Sequence, residues 1–386
     1  MGITSTQIQN AMRWPHDGNQ TTDKIMKTKL TLLLSFILIN FSGCAQSKKT
    51  ENVFLITLDG LRWQELFGGA DSTLIDDKDY VRNTEELKRL FWKEGQEARR
   101  QKLMPFFWST IAEQGQLYGN RWEDSKVNCT NQMWFSYPGY NEILSGFADD
   151  EVIRSNDKIP NPNTTVLEYI NQQDGFQGKV AAFGSWDVFP YIVNEERSGV
   201  PVNAGFEKST DDPLSAREVF LNKLQDEIPS PWGGVRLDAF THHFMMEYVN
   251  KHSPRLVYIA YGETDDFAHD GAYDHYLKSA RQTDEFIKEI WDYIQSTPQY
   301  KDKTTLLITT DHGRGTVPKE SWKGHGTSVK DADQIWIAAL GPDTQALGTA
   351  IKGQYYQNQL AATVAQALGI AYKQPKAGKA LPKAVK

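Results

Sequence analysis

The chain has 386 residues, only two cysteines (Cys44 and Cys129) and a formal net charge of −7 at pH 7. Two cysteines exclude a disulfide-rich scaffold and a zinc-finger array, and the acidic balance excludes a strongly basic protein that binds nucleic-acid duplexes. Apolar residues make up 39% and charged residues 24% of the chain, which is typical of a globular protein. The length allows one large domain or two ordinary ones.

The first 44 residues predict export. Residues 1–25 are polar and carry no targeting signal, so we predict that they are a non-translated or disordered extension. From Met26, two lysines precede an apolar run that is too short to cross ~30 Å of hydrocarbon, as in the signal peptide of an exported protein. Cys44 ends a Ser-Gly-Cys-Ala sequence that resembles a bacterial lipobox, in which the thiol is acylated. A secretory signal with a chance cysteine is the alternative.

If residues 26–44 are a lipoprotein signal peptide, residues 45–51 form a short polar tether. We therefore expect an exported lipoprotein on the periplasmic face of the outer membrane or on the cell surface. Its lipid anchor would be its only contact with the membrane. Cys129 would then have no disulfide partner, and we expect it to be buried or close to a ligand.

Residues 52–372 contain no internal repeat and no break in composition, which predicts a single domain. Continuous apolar runs indicate strands that are buried on both faces of a parallel sheet. These runs are VFLITL (53–58), KVAAFG (179–184), LVYIAY (256–261), TLLITT (305–310) and IWIAAL (335–340). Helical patterns lie between them at 104–114, 235–250, 276–296 and 357–368.

The alternation of strands and helices predicts an α/β protein, a three-layer α/β/α sandwich with a mostly parallel central sheet. The last segment, 373–386, contains five lysines, two prolines and few apolar residues. Because it has little to bury, we predict a disordered basic tail.

Carboxylates follow three of the predicted strands. Asp59 comes directly after the first strand, Asp265 follows the strand at 256–261, and Asp311 follows the strand at 305–310. The carboxyl ends of parallel strands meet at one edge of the sheet, so these side chains should lie close together. Several carboxylates in one crevice repel each other, and metal ions are the natural compensation.

Three histidines accompany these aspartates. His269 lies four residues after Asp265, so the two side chains share one face of a helical turn. His312 directly follows Asp311, and His325 stands between two glycines that leave room around the imidazole. Three aspartates and three histidines are enough for two metal sites once one more oxygen ligand is found.

A serine is the candidate for that further ligand. Ser136 precedes Pro138, which is well suited to the first turn of a helix that runs toward Gly146. Its hydroxyl would lie at the helix N-terminus, where the partial positive charge favours an alkoxide and an anionic substrate. An ordinary N-cap serine is the alternative.

Taken together and in this order, these motifs resemble those of the alkaline phosphatase superfamily. They are most similar to the motifs of its nucleotide pyrophosphatase/phosphodiesterase branch. The resemblance covers residues 52–341 and implies a serine nucleophile with two divalent metal ions, zinc or alternatively manganese. It implies one ion held by Asp59, Ser136, Asp311 and His312, and another held by Asp265, His269 and His325. It also implies an oxyanion asparagine, for which Asn156 has nearly the expected offset and Asn161 and Asn163 lie close by.

The resemblance implies hydrolysis of a small-molecule phosphate ester, as a phosphodiesterase or a phosphatase. Some monoesterases of the group carry a Lys-x-Arg pair, and this chain has an aromatic stretch around Trp186 instead. This difference favours diesters or substrates with an apolar group. Tyr137 and Trp186 could stack on such a group, and Lys323 is a nearby cation.

Three other interpretations remain open. A sulfatase resembles the Ser-x-Pro core, but its signature expects an arginine where this chain has Tyr140, and it needs maturation of the serine to formylglycine. A cofactor-independent phosphoglycerate mutase shares the metal core, but it is cytoplasmic and carries an inserted second domain. A lipoprotein that binds metal or a phosphorylated ligand without turnover would lack the nucleophile. The sequence leaves the oligomeric state open.

Overall fold

The computed structural model describes residues 49–385. The predicted N-terminal extension, the signal peptide, Cys44 and most of the tether lie outside these residues. The assignments made for them therefore stay predictions.

Ten strands form two sheets. In chain order they are β1 (Asn52–Leu58), β2 (Gln116–Tyr118), β3 (Ser125–Asn128), β4 (Val180–Gly184), β5 (Val202–Ala204), β6 (Leu256–Tyr261), β7 (Thr304–Thr309), β8 (Gln334–Ile335), β9 (Ile337–Leu340) and β10 (Gly353–Tyr356) among the described residues. The large sheet has the order β2-β9-β7-β1-β6-β4-β5, and the small sheet has the order β10-β3-β8. Strands β7, β1, β6, β4 and β5 are parallel, whereas β9 runs antiparallel between β7 and β2.

Helices connect these strands. They are α1 (Trp63–Gly68), α2 (Thr84–Phe91), α3 (Gln96–Leu103), α4 (Ala112–Gln114), α5 (Ser136–Ser145), α6 (Val166–Asn171), α7 (Phe189–Val193), α8 (Glu195–Ser198), α9 (Ala216–Glu227), α10 (Asp238–His252), α11 (Glu263–His269), α12 (Tyr273–Ser296) and α13 (Leu360–Ala367). A π-helical turn (Phe107–Ile111) leads into α4, and short 3-10 helices cover Arg121–Glu123, Lys319–Lys323 and Gln357–Gln359. Within residues 49–385, no helix combines the length and the apolar character that crossing a membrane requires.

Both faces of the central sheet are covered. Along β1, Phe54 and Ile56 point into one hydrophobic core, whereas Val53 and Leu55 point into the other, and all four are fully buried. Helices α1, α2, α3, α10 and α12 contribute to the first core, and α5, α6, α7 and α13 contribute to the second. Double burial explains the continuous apolar runs of the central strands. The predicted three-layer α/β/α sandwich with a mostly parallel sheet is confirmed.

One predicted strand is wrong in its extent. The run IWIAAL at 335–340 is divided between two sheets, because Ile335 pairs with Val127 in the small sheet and β9 pairs with β7 in the large one. Trp336 lies between them, fully buried, and its indole N–H donates to the carbonyl of Leu61 at 2.9 Å. The anchored side chain of Trp336 thus lies where the chain passes from the small sheet to the large one.

The C-terminal segment also differs from its prediction. Leu381, Ala384 and Val385 are buried in the second core, against α13 and neighbouring residues. The amide N–H of Leu381 donates to Oγ1 of Thr363, and Gln116 donates to the carbonyl of Lys383. A few apolar side chains spaced between lysines are thus enough to pack this tail onto the domain.

Polar groups occupy both edges of the central sheet. On edge strand β5, the N–H groups of Val202 and Ala204 donate to the carboxylates of Glu195 and Glu207, at 3.0 and 2.9 Å. On edge strand β2, the amide of Leu117 donates to the carbonyl of Gly348 at 2.8 Å. Side-chain carboxylates protect one edge and a loop protects the other.

Candidate metal centre

The first cluster consists of Asp59, Asp311 and His312, which follow the adjacent strands β1 and β7. His312 Nε2 lies 3.3 Å from Asp59 Oδ1 and 3.5 Å from Asp311 Oδ2. The Nδ1–H of His312 donates to the carbonyl of Gly313 at 3.0 Å. Nε2 therefore presents its lone pair to the two carboxylates.

Three buried atoms of the first cluster have no hydrogen-bond partner within residues 49–385: Asp59 Oδ1, Asp311 Oδ2 and His312 Nε2. Burial and a neighbouring carboxylate raise the pKa of Asp59 and of Asp311 well above the usual range. Unpaired polar atoms that converge in a buried site cost free energy unless a cation satisfies them. Two carboxylates and one neutral imidazole therefore fit a divalent metal ion.

The second cluster consists of Asp265, His269 and His325. Asp265 and His269 lie one turn apart on α11, with Asp265 Oδ2 3.2 Å from His269 Nε2. The Nε2 atoms of His269 and His325 are 2.9 Å apart. Burial, together with the neighbouring His312, lowers the pKa of His325, which favours the neutral imidazole that binds metal. Two imidazoles and one carboxylate suit zinc better than calcium or magnesium.

The two clusters adjoin each other. The rings of His312 and His325 stack with their centroids 3.8 Å apart. Asp265 Oδ1 lies 3.7 Å from His312 Nε2 and 3.6 Å from His325 Nε2, so it stands between the clusters. Two adjoining donor sets are the arrangement of a two-metal site.

Glycine is required where β1 turns into the site. Gly60 has a φ of +59°, and a Cβ at this position would lie 2.9 Å from both Asp265 Oδ1 and the Arg314 guanidinium. Its N–H donates to Asp311 Oδ1 at 3.1 Å. The backbone can therefore approach both clusters only because residue 60 has no side chain.

Ser136 is the first residue of α5, and it is almost fully buried. Tyr140 lies one turn further along the same helix face, and its hydroxyl donates to Asp59 Oδ2 at 2.8 Å. A Cβ at Gly139 would overlap the carbonyl of Asp311, so the first turn of α5 packs directly on the first cluster. The helix thus presents Ser136 on the face that contacts the cluster.

A buried carboxylate fixes the loop before Ser136. Glu142 accepts hydrogen bonds from the backbone N–H groups of Thr130 and Asn131 at 2.8–3.0 Å. Asn131 Oδ1 in turn accepts from the N–H of Trp134, and the carbonyl of Trp134 accepts from His325 Nδ1. This chain of bonds connects α5 to His325 of the second cluster.

Asn156 lies beside the N-terminus of α5, next to Ser136 in the folded chain. Its Oδ1 accepts from the backbone N–H of Tyr137 at 3.0 Å, and the residue is exposed. Within residues 49–385, the Nδ2 group of Asn156 forms no hydrogen bond.

The three residues that the sequence suggests for substrate binding differ in their exposure and in their contacts. Tyr137 does not face a substrate, because it is 2% exposed and its hydroxyl donates to the carbonyl of Ile159. Trp186 follows β4, is half-buried and packs edge-on against Phe189. Lys323 places its Nζ 5.7 Å from the ring centroid of Tyr80.

Two residues contact the clusters although the sequence does not predict these contacts. Tyr140 was noted only as the residue in place of an arginine. Arg314 lies two positions after His312, is 1% exposed and forms an ion pair with Asp265. The sequence signal for Arg314 is its position two residues after His312, in the turn that carries two candidate metal ligands.

This fold and a match to a known protein family define the class of protein: an ester hydrolase of the alkaline phosphatase superfamily, with two candidate metal-binding clusters. A sequence model of the Sulfatase family matches residues 51–370. The chain therefore belongs to the Sulfatase family, and it hydrolyses sulfate or phosphate esters.

Solved structures show the same fold. The chain is similar to a variant of the alkaline phosphatase PafA, with a TM-score of 0.55, 10% identity and coverage of 88% of this chain and 99% of that one. It is similar to the lipoteichoic acid synthase LtaP from Listeria monocytogenes, with a TM-score of 0.54, 12% identity and coverage of 85% and 74%. It is also similar to the phosphonate monoester hydrolase SpPMH from Silicibacter pomeroyi, with a TM-score of 0.51, 13% identity and coverage of 86% and 76%. No curated protein matches the chain at a significant level.

Proposed function

We propose that the protein hydrolyses phosphoric esters with Ser136 as the nucleophile. The observation that carries this proposal is the pair of adjoining aspartate–histidine clusters beside the N-terminus of α5. Two-metal sites of this kind serve phosphoryl transfer, in which both the attacking and the leaving oxygen need stabilisation. Bound divalent ions, zinc in our proposal, would supply that Lewis-acid stabilisation.

The residues of the chain have separate tasks in this reaction. The Oγ atom of Ser136 attacks phosphorus and forms a bond to it, the bond from phosphorus to the ester oxygen breaks, and the proton of the serine hydroxyl is balanced by the proton that the departing alcohol takes up. The amide of Asn156 donates to a non-bridging oxygen of the phosphoryl group. Water then cleaves the phosphoserine, which releases phosphate or a phosphomonoester and restores the hydroxyl.

Sulfate esters are the second candidate, because the family is that of the sulfatases. Tyr140 occupies the position where the sulfatase signature expects arginine, and its hydroxyl is bonded to Asp59. An unmodified serine with a tyrosine at this position favours phosphate esters over sulfate esters.

Diesters are the preferred substrates in this proposal. At the carboxyl end of β4, Ser185 donates to Asp238 at 2.6 Å, and Asp187 forms an ion pair with Lys158 at 2.7 Å. Neither Ser185 nor Trp186 supplies a cation for a dianionic monoester. Trp186 instead offers an apolar surface for a second ester group.

The substrate class can be tested with the protein lacking its signal peptide. We expect bis-p-nitrophenyl phosphate to be hydrolysed faster than p-nitrophenyl phosphate, and p-nitrophenyl sulfate to be the slowest. Addition of a chelator should abolish all three activities. The proposal fails if sulfate is the fastest substrate, or if mass spectrometry finds formylglycine at position 136.

The nucleophile can be tested by Ser136→Ala. Turnover should fall by about a thousandfold or more, because the covalent step is lost, while metal content stays at the wild-type level. Ser145→Ala is a matched control, since Ser145 lies at the other end of α5 and donates to the carbonyl of Asn141. Full activity of Ser136→Ala excludes this serine as nucleophile.

A further inference from the structure

Arg314 is a buried arginine that contacts three backbone segments of the metal centre. Its Nε donates to the carbonyl of Gly60 at 3.1 Å, and Nη1 donates to the carbonyl of Lys323 at 2.7 Å. Nη2 donates to the carbonyl of Asp265 at 3.1 Å and also to the Oδ1 atom of the same residue. All three nitrogens of the guanidinium are thereby used.

Each of these segments carries metal-binding candidates. Gly60 directly follows Asp59, Asp265 belongs to the second cluster, and Lys323 lies two residues before His325. Arg314 itself follows His312 by two residues. One guanidinium therefore connects four ligand-bearing segments, two of which lie far from Arg314 in the chain.

The guanidinium also distinguishes the two oxygens of Asp265. Oδ1 pairs with Arg314, whereas Oδ2 points to His269, 3.2 Å from its Nε2 atom. Without this pairing, Oδ1 would be free to turn toward His312, which lies 3.7 Å away in the first cluster. A planar fork of donors fixes a carboxylate in a way that a lysine ammonium cannot.

We propose that Arg314 is a positioning residue for the second cluster. By holding Asp265 Oδ1 and the carbonyls of Gly60 and Lys323, it presents Asp265 Oδ2, with His269 and His325, to a divalent ion. Without Arg314, the second cluster loses more affinity for its ion than the first cluster, because only the second cluster loses the partner of a ligand carboxylate. The inference rests on the proposed two-metal site, but it does not depend on which ester is cleaved.

Zinc binding can be measured by competition with a chromophoric chelator and by metal analysis of the dialysed protein. In Arg314→Met we expect one of two zinc ions to bind at least about tenfold more weakly, which is the usual effect of losing a group that orients a ligand. The affinity for the other ion should fall less, because Arg314 contacts the first cluster only through the backbone carbonyl of Gly60. Arg314→Lys keeps the charge but not the fork, so we expect an intermediate loss for the same ion.

Arg236→Met is a matched control. Arg236 is fully buried and donates to the carbonyl of Asn203 and to Thr241, and within residues 49–385 it forms no hydrogen bond or ion pair with a residue of either cluster. Thermal unfolding of the metal-free variants establishes that each one folds. If Arg314→Met does not fold, the zinc affinity of Arg314→Lys decides the question.

Unchanged or tighter binding of both ions in the folded Arg314 variants overturns the proposal. An equal loss in Arg236→Met also overturns it, because the effect would then reflect general destabilisation. A wild-type protein that binds two zinc ions but cleaves no phosphate ester would refute the proposed function and leave the role of Arg314 intact.

Discussion

A single hydroxyl determines which oxygen of Asp59 is available to a metal ion. Tyr140 donates to Oδ2 at 2.8 Å, whereas Oδ1 has no hydrogen-bond partner among residues 49–385 and faces His312. Residues that hydrogen-bond to metal ligands fix their orientation and commonly change affinity or activity by about 10–100-fold. Tyr140 therefore connects α5 to the first cluster.

Replacing Tyr140 with phenylalanine removes only this hydroxyl. We expect kcat/KM for the best phosphate ester to fall by about tenfold or more, because Asp59 loses its orientation. Steady-state kinetics at saturating zinc measures the change. Tyr300→Phe is the control, since Tyr300 is equally buried but donates to the carbonyl of Pro254. A Tyr140→Phe enzyme with wild-type kinetics contradicts this role.

The sequence predicts the cluster residues that directly follow strands. It does not predict Tyr140 and Arg314, which contact the clusters from other parts of the chain. Asp59, Asp311 and His312 come together because β1 and β7 are neighbours. Tyr140 and Arg314 act through partners that are 81 and 49 positions away in the chain. The position of Arg314 in a ligand-bearing turn was a signal for that residue alone, and no local pattern identifies the distant partner of either side chain.

At the scale of the secondary-structure elements, helix α12 stabilises the start of the π-helical turn through the buried carboxylate of Asp284. Asp284 accepts from the backbone N–H groups of Phe106 and Phe107 at 2.8 and 3.0 Å, where the π-helical turn begins. Burial raises the pKa of Asp284 to about 7. The residue thus titrates close to neutrality in the folded protein.

This pKa predicts how stability varies with pH. A carboxyl with a higher pKa in the folded protein than in the unfolded chain, where it is about 4, favours folding when protonated. Its contribution is complete below about pH 4 and is lost as the pH rises through about 7. Asp284→Asn should therefore reduce the decline in the free energy of unfolding between pH 5 and pH 8.

Urea denaturation of the zinc-loaded protein at several pH values measures this decline. Asp292→Asn is the control, because Asp292 lies on the same helix and is exposed. A decline in Asp284→Asn as steep as in the wild type would contradict the assigned titration.

Element prediction succeeded where burial is uniform. Strands β1, β4, β6 and β7 are buried on both faces, and their apolar runs locate them within about one residue. The short strands β2, β3, β5 and β10 have three or four residues each, too few to form a recognisable pattern. The run that contains β9 was expected to be a parallel strand, but β9 runs antiparallel to β7. The direction of a strand depends on the path of the connection that precedes it, which an apolar run does not indicate.

At the scale of the whole molecule, the C-terminal segment belongs to the domain. Leu381 is fully buried, and the carbonyls of Ala384 and Val385 accept hydrogen bonds from Thr344 and Gln366. Composition alone suggested disorder, because lysines dominate the segment. Three apolar side chains reverse this expectation by packing into the second core.

Leu381→Ala tests the packing of this segment. We expect the free energy of unfolding to fall by about 2–4 kcal/mol, as for other buried leucines replaced with alanine. Equilibrium denaturation measures the change, with the exposed Val317→Ala as control. A disordered segment would give no change for either variant.

The carboxylates of Glu195 and Glu207 on β5, and the loop at Gly348 on β2, have a consequence for solution behaviour. Unprotected strand edges allow identical chains to add to one another and to polymerise. Here Val202 and Ala204 already donate to carboxylates, and a strand from a second molecule would have to displace two negative charges. Addition of a second molecule along either edge of the central sheet is therefore disfavoured.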